Sequence, residues 1–485
     1  MPETTIPWLL FALYLLVIAS LAVWNRRRAG TMESFAVGSR TVSPILVGLS
    51  LAANMTSVAT FVINPGLIHA YGVAGVIGYG LAAPLGIFTG LVLTSKRFRQ
   101  VGDRVVALTV PQWIGACYGD RRLTVMFAAI SLLQVTFLVL IIAALVHVLM
   151  SVLGLAMPVA LTIVVAFSFA TILVGGASAH IWSNGVQAVT MLAVAVLLVA
   201  SGAELFTGGL SGFIDRLEAV GPHFASATNP ASLLFRDLFE VLIANFVIGV
   251  AIIMQPHIIS KALYLRSERD VNRYLVTAVL AGTVFTSVMV VGLFARIELG
   301  ADLPPDRVIA TYIATEFSPA VRAFVMLGVL AAGFSTLEGV VLALSSIAAN
   351  DLYGSLARMA GVDEERVRAR LLPVGRIALL ILAPVSFLLA WDQIVDPELS
   401  VAIFAQNGVY GLFAAVFAPV LFGLFGERPR RGLAAAAGAL ALVVHFGMYY
   451  GQITVYHTNP AVPATCAIVA STALMGIGTL LTRRR

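Results

Sequence analysis

Thirteen apolar runs, most of them long enough to cross a bilayer, dominate this sequence. They cover approximately residues 7–24, 43–71, 74–95, 123–152, 157–175, 181–205, 237–260, 274–295, 320–348, 377–391, 398–425, 432–450 and 464–482. A helix needs about 20 mostly apolar residues to span a hydrocarbon core of about 30 Å. Only 11% of the residues are charged, against about 25% in soluble domains. We therefore predict an all-α integral membrane protein with about 13 transmembrane helices.

The basic residues are distributed unevenly among the connections between these runs. Of 30 Lys and Arg residues, 25 fall on one side, Lys261 among them. The other five are Arg216, Arg236, Arg296, Arg307 and Arg322. Cytoplasmic connections carry the excess of positive charge. This predicts a multi-pass protein of the cell membrane, with the N-terminus outside and the C-terminus in the cytoplasm. Since the net charge of +6 is then a topology signal, we expect the bilayer as a partner and no nucleic acid.

Several other function classes receive no support from the sequence. The two cysteines, Cys117 and Cys466, provide neither a disulfide framework nor metal-ligand spacing. The first run has no basic region before it and is long enough to span, so it predicts a transmembrane helix rather than a cleaved signal peptide. No nucleophile–base pair is evident, and we do not expect an enzyme.

One polar cluster lies within the apolar segment from about residue 323 to 349. Ala332, Ser335 and Thr336 share one helix face, because their spacing is i, i+3, i+4. Two hydroxyls and a freed carbonyl are oxygen ligands of the kind a hard cation needs. Glu338 lies at the edge of the same face, and an ionisable residue within a span indicates a functional site. The alternative is that both hydroxyls only bond to their own or a neighbouring helix.

Two spans carry signs of an interrupted helix. In the second, polar residues cluster at mid-span and Asn64-Pro65-Gly66 follows; in the seventh, Asn245 and Gly249 precede Gln255-Pro256-His257. Interrupted spans in corresponding positions of two halves indicate a transporter's binding site, and these two are five spans apart. The alternative is a simple kink lined by small residues.

The interrupted spans also supply candidates for binding a solute. The eleventh span adds amide side chains that bond either a solute or neighbouring helices. We predict that four residues face one central cavity near the membrane midplane: Ser57, Thr60, Asn245 and Gln406.

Several motifs together resemble those of the sodium/solute symporter family, closest to its pantothenate- and proline-type members. They are Phe35-Ala36-Val37-Gly38-Ser39-Arg40, Thr60-Phe61 through Asn64-Pro65-Gly66 to Tyr71-Gly72, Gly175-Gly176 through Ile181-Trp182-Ser183-Asn184-Gly185-Val186-Gln187, Gln255-Pro256-His257, Ser335-Thr336 through Ser345-Ser346, and Asn350-Asp351-Leu352-Tyr353. The resemblance covers nearly the whole chain.

This resemblance implies the inverted-repeat fold of the leucine transporter, five plus five helices, with one extra helix ahead of the core. The expected divisions are an N-terminal helix and cytoplasmic loop (1–42), a first repeat (43–205), an extracellular loop (206–236), a second repeat (237–425) and two peripheral C-terminal helices (426–485). It also implies a sodium site between core helices one and eight. Its ligands would be the carbonyls of Ala53, Thr56 and Ala332 and the hydroxyls of Ser335 and Thr336.

The chain departs from the family at one point. Some members have an aspartate, part of a further cation site, where this chain has Asn184, and a serine where it has Glu338. The sequence places no Lys or Arg at mid-span, so we expect a salt bridge to Glu338 to be absent. Its predicted companion is a bound sodium ion or a proton, with Asn184 nearby. The alternative is that Glu338 faces a water-filled cytoplasmic path.

These observations predict a sodium-coupled importer of a small polar organic solute, working by alternating access, with Na⁺ as the coupling ion. Two alternatives remain at this stage. One is a membrane sensor or receptor that keeps the transport fold; the other is a proton-coupled symporter that uses Glu338.

Overall fold

The computed structural model describes residues 5–38, 42–105, 107–301, 303–396, 401–426 and 430–483. Some residues of the sequence predictions lie outside these ranges: Ser39 and Arg40 of the first motif, Arg428, Arg484 and Arg485 of the basic set, and 398–400 of the eleventh run. The described residues form helices and turns with no β-strand.

Fifteen main helical segments follow one another along the described chain. They are α1 (Thr5–Asn25), α2 (Pro44–Met55), α3 (Ala59–Tyr71), α4 (Val73–Val105), α5 (Arg121–Leu153), α6 (157–175), α7 (177–201), α8 (Phe239–Ile252), α9 (Pro256–Tyr264), α10 (Glu268–Leu299), α11 (Pro319–Met359), α12 (Glu364–Val395), α13 (Val401–Phe425), α14 (Arg431–Tyr450) and α15 (Ala461–Arg483).

Both predicted interruptions are present. The helix axis bends by 55° between α2 and α3 and by 57° between α8 and α9. Among the described residues, ten helices are long and apolar enough to cross a membrane, or twelve when each bent pair is one span. This count treats 157–201 as one helix, although Gly176 interrupts it with φ +54° and ψ −152°. Counting α6 and α7 separately brings the number to the predicted thirteen.

The tenth span is longer than predicted. The sequence suggested a short run at 377–391, whereas α12 begins at Glu364. The Asp363 carboxylate accepts hydrogen bonds from the amides of Glu365 and Arg366 and so caps this helix. Its charged first turns extend beyond the apolar run, and Pro373 and Pro384 lie inside the helix without ending it.

The helices differ in what they contact. Helix α11 is buried along nearly its whole length and packs against the 157–201 helices and α5. Helix α12 instead exposes Ile377, Leu380 and Leu388, as a helix facing lipid hydrocarbon does. The polar cluster predicted on α11 therefore lies at the centre of the molecule.

Candidate functional site

The first interruption leaves backbone oxygens without a helical partner. Helix α2 ends at Met55, where the Thr56 amide donates to the carbonyls of Ala52 and Ala53 at 3.1 and 3.3 Å. The Ser57 hydroxyl accepts from the Ala59 amide at 3.2 Å, which caps the beginning of α3. The carboxyl end of a helix presents unpaired carbonyls and partial negative charge. The end of α2 is thus suited to a cation.

Helix α11 brings its two hydroxyls against these carbonyls. Ser335 Oγ lies 3.0 Å from the Ala53 carbonyl and 2.8 Å from that of Ala332. Thr336 Oγ1 lies 3.2 Å from the Asn54 carbonyl and 3.3 Å from that of Ala332. The hydroxyls donate in these contacts, and rotation of their hydrogens exposes lone pairs instead. This arrangement can hold a hard cation in a shell of buried oxygens.

Four of the five expected sodium-ligand residues therefore meet. Ala53, Ala332, Ser335 and Thr336 converge on one point, while Thr56 is the C-cap residue that follows α2. The Asn54 carbonyl, which the sequence analysis did not include, also reaches this cluster. The only signal for it in the sequence was its position beside Ala53.

A side chain joins the two interruptions directly. Asn54 Nδ2 donates to the His257 carbonyl at 3.0 Å. The side-chain amide of Gln134, a residue of α5, in turn contacts the ring of His257. The hydrogen bond from Asn54 therefore links the end of α2 to the beginning of α9.

A cavity of about 170 Å³ opens beside the first interruption. All four predicted solute residues line it: Ser57, Thr60, Asn245 and Gln406. Thr56, His257, Tyr79 and Tyr410 contribute further polar groups. Among the residues that the structure describes, none that lines it is Asp, Glu, Lys or Arg. The structure thus places the candidates in one cavity with scattered polar groups, and Asn54 belongs both to its lining and to the oxygen cluster between α2 and α11.

Two of the lining amides are partly engaged already. Asn245 Nδ2 donates to the carbonyls of Glu240 and Val241 in its own helix, at 2.8 and 3.3 Å. Gln406 Nε2 lies 3.4 Å from the Tyr79 hydroxyl. Since the Asn245 amide nitrogen is used, its oxygen is the atom left to accept from a solute.

The N-terminal end of α8 is held by a cluster of charged and aromatic groups. Arg236 pairs with Glu240 at 2.6 Å, and Asn459 donates to Glu240 at 3.0 Å. Tyr456 donates to Asp237 at 2.7 Å, and this hydrogen bond raises the pKa of the Tyr456 phenol. These contacts tie α8 to the connection between α14 and α15, and so position Asn245 in the cavity wall.

Glu338 has partners that differ from those expected. Its carboxylate accepts from Thr171 at 3.1 Å and from Ser183 at 2.9 Å. The ring of His180 lies 3.7 Å away through Nδ1. Asn184 instead donates to the Ser50 carbonyl at 3.2 Å. The i, i+3, i+4 spacing puts three residues on one face of α7: His180, Ser183 and Asn184. Because Asn184 was expected near Glu338, this spacing could have identified His180 and Ser183 as neighbours of Glu338.

The placement of Lys261 in a connection between spans was wrong. Lys261, assigned from the sequence to a cytoplasmic connection, belongs to α9 and is only 1% exposed. Its ammonium donates to Ser50 Oγ at 2.6 Å and lies 3.4 Å from His180 Nε2. The 57° bend before α9 directs this short helix into the protein. Lys261 therefore points toward Glu338 instead of into water.

Comparison with known proteins identifies the family. The sequence profile of the sodium:solute symporter family matches residues 35–444. The chain belongs to this family. It is a sodium-coupled symporter of a small solute and not an enzyme, as the sequence analysis predicted.

The relatives of this symporter are transporters of similar length. It is 28% identical over 445 residues to a high-affinity proline transporter of Bacillus subtilis, covering 88% of this chain and 87% of the relative. It is 26% identical over 480 residues to a sodium/pantothenate symporter of Escherichia coli, covering 93% and 92%.

A solved structure shares the fold of the symporter. A Na⁺-coupled sialic acid symporter, in a substrate-bound outward-open state, superposes with a TM-score of 0.80 over 97% of this chain and 98% of that one, at 16% identity. The predicted leucine-transporter-like architecture is therefore confirmed.

Proposed function

We propose that this symporter imports a small polar solute that bears a carboxylate, of about the size of proline, together with sodium. The observation that carries the proposal is the contact between the cavity and the first interruption. Residues Ser57 and Thr60 begin α3, where helix N–H groups favour an anionic group. A bound sodium at the end of α2 would add positive charge close by.

The size and chemistry of the cavity narrow the solute class. An engineered cavity of about 150 Å³ holds benzene, so a cavity of about 170 Å³ suits a proline-sized molecule better than pantothenate. Its lining contains hydroxyls and amides, and within the described part of the chain it contains no Asp, Glu, Lys or Arg. A zwitterion or monoanion would therefore be balanced by sodium and helix ends and not by an ion pair with the protein.

The proposed sodium ligands are the carbonyls of Ala53, Thr56 and Ala332 and the hydroxyls of Ser335 and Thr336. They join α2 to α11, so bound sodium would hold these two helices in the arrangement that accepts solute. Sodium entering a negative interior gains about 2.3 kcal/mol per 100 mV of membrane potential. Alternating access would use this energy to accumulate the solute.

We place the protein in the cell membrane with its N-terminus outside and its C-terminus in the cytoplasm. The bilayer is then its immediate environment, and nucleic acid is no partner. The support is the distribution of basic residues among the connections.

Uptake into proteoliposomes tests the proposed solute. Radiolabelled proline and pantothenate are offered separately, with an inward sodium gradient and with choline in its place. We expect sodium-dependent proline accumulation that Gln406→Ala or Thr60→Ala weakens, with Thr283→Ala, an exposed threonine bonded within its own helix, as control. Sodium-driven uptake of pantothenate but not proline would contradict the size argument. Failure of both, with an active preparation shown by sodium binding, would refute the solute class.

A further inference from the structure

Lys261 is a positive charge enclosed within the membrane region. Its side chain is 1% exposed, and its nearest oxygen is the neutral Ser50 hydroxyl at 2.6 Å. A buried charge without a compensating one is strongly unfavourable. In its charged form Lys261 therefore requires an anion within electrostatic reach.

Glu338 is the corresponding negative charge. It is 1% exposed, and the hydroxyls of Thr171 and Ser183 donate one hydrogen bond to each of its oxygens. Hydroxyls stabilise a carboxylate without neutralising it. The ring of His180 lies between Lys261 and Glu338, with Nε2 3.4 Å from the Lys261 ammonium and Nδ1 3.7 Å from Glu338 Oε2.

The contacts of His180 determine which nitrogen bears its proton. Nε2 is approached by the Lys261 ammonium and by Asn184 Nδ2, each at 3.4 Å. Both groups only donate, and the Asn184 nitrogen is identified independently by its bond to the Ser50 carbonyl. Nε2 is thus an acceptor, and the proton of the neutral ring is on Nδ1, which faces Glu338 Oε2 at 3.7 Å.

The resulting triad of Lys261, His180 and Glu338 has no net charge. A cation, a neutral ring whose Nδ1 lies 3.7 Å from the carboxylate without a hydrogen bond, and an anion follow one another across α9, α7 and α11. His257 and Tyr14 are further titratable groups that interact with members of the triad. The carboxylate obtains its counter-charge from the chain itself.

We propose that Lys261 is the tethered counter-cation of Glu338, acting through His180, and that it takes the place of a second ion from solution. The inference rests on the proposed sodium symport. It means that one sodium ion accompanies each solute molecule. The ion at Ser335 and Thr336 is exchanged in every cycle, whereas the lysine charge remains with the protein.

A double-mutant cycle tests the pairing. The variants are Lys261→Met, Glu338→Gln and the two combined, with Lys96→Met as control; Lys96 is the other lysine of the chain and lies half-buried at the inner end of α4. We expect each single variant to lower the uptake rate about tenfold or more, and the double variant to recover to within about threefold of the parent. The parent and double variant should both show one sodium per solute by dual-label flux.

Two further comparisons separate this inference from the proposed function. Melting of the purified variants in sodium-free choline buffer reports the pairing without transport, and we expect the combined variant to melt above both single variants. Absence of sodium-driven uptake in the parent would refute the proposed function while the melting cycle still decides the pairing. Three results would overturn the inference. Lys261→Met could take up solute at the parental rate, or the double variant could be no faster than the slower single variant. The third is a ratio of two sodium ions per solute in the parent.

Discussion

Ser335 and Thr336 contribute the two side-chain oxygens of the proposed sodium site. Replacing either with Ala removes one ligand to a charged partner, an interaction of about 1.5–3 kcal/mol. We expect the sodium concentration for half-maximal uptake to rise roughly tenfold or more, with little change in protein abundance. The measurement is initial uptake rate against sodium concentration at fixed ionic strength.

Ser345 provides the matched control for this prediction. It lies on the same helix α11, is fully buried, and donates to the Leu342 carbonyl at 3.0 Å. Ser345→Ala should therefore leave the sodium dependence unchanged. If both Ser335→Ala and Thr336→Ala also leave it unchanged, the proposed site is wrong.

Gly339 allows Asn54 to join the two interruptions. A Cβ atom at Gly339 would lie 2.3 Å from Asn54 Oδ1, while the amide of the same side chain holds the His257 carbonyl. Gly339→Ala should therefore destabilise the protein by about 1–3 kcal/mol and reduce uptake. Melting of the purified protein measures the first effect and proteoliposome uptake the second.

Gly447→Ala is the comparison for Gly339→Ala. Gly447 also lies in a helix, and nothing would be within 4 Å of its added Cβ. Alanine there should raise stability by up to about 1 kcal/mol through helix propensity. Equal melting temperatures for the two variants would show that the contact between Gly339 and Asn54 has no role.

At the scale of elements, the turn between α6 and α7 depends on Gly176. Its φ of +54° is unfavourable for other residues, and an added Cβ would lie 3.0 Å from the Phe35 carbonyl oxygen. Gly176→Ala should cost about 1–3 kcal/mol in strain and more from this contact. Gly209 has φ +71° with nothing within 4 Å, so Gly209→Ala isolates the strain. Equal losses of melting temperature in the two variants would contradict the role of Phe35.

The interrupted helices were predictable because local chemistry creates them. Polar mid-span residues precede Asn64-Pro65-Gly66 at the first bend, and Gln255 precedes Pro256 at the second. These local sequences mark the two bends regardless of how the rest of the chain packs. The spacing of Ala332, Ser335 and Thr336 likewise fixes which atoms share a face. These features need only the sequence within one helix.

The position of Lys261 was not predictable in this way. In the sequence it follows an apolar run and precedes Arg266 and Arg269, the usual pattern of a cytoplasmic connection. Its burial results from the 57° bend before α9 and from contacts with Ser50 and His180, which are 211 and 81 residues away. The charge balance of Glu338 depends on the same distant contacts.

At the scale of the whole molecule, the remaining question is which face is cytoplasmic. The connection between α7 and α8 and the one between α11 and α12 lie on opposite sides, because three spans separate them: α8 with α9, then α10, then α11. Ser226 is exposed in the first connection and Met359 in the second. From the positive-inside distribution of charge we expect Ser226 outside and Met359 in the cytoplasm.

Those four helices make three crossings, because the bent pair α8 and α9 crosses the membrane once while α10 and α11 cross once each. Cysteine labelling in intact cells therefore tests the orientation. In a background with Cys117 and Cys466 replaced by Ser, we expect a membrane-impermeant maleimide to label Ser226→Cys in intact cells. Met359→Cys, at a site 49% exposed, should react only after permeabilisation, and labelling of both after permeabilisation is the control for reactivity. The reverse labelling pattern would show that the proposed orientation is wrong. Sodium would then have to enter the proposed site from the face that carries most of the basic residues, against the repulsion of like charges.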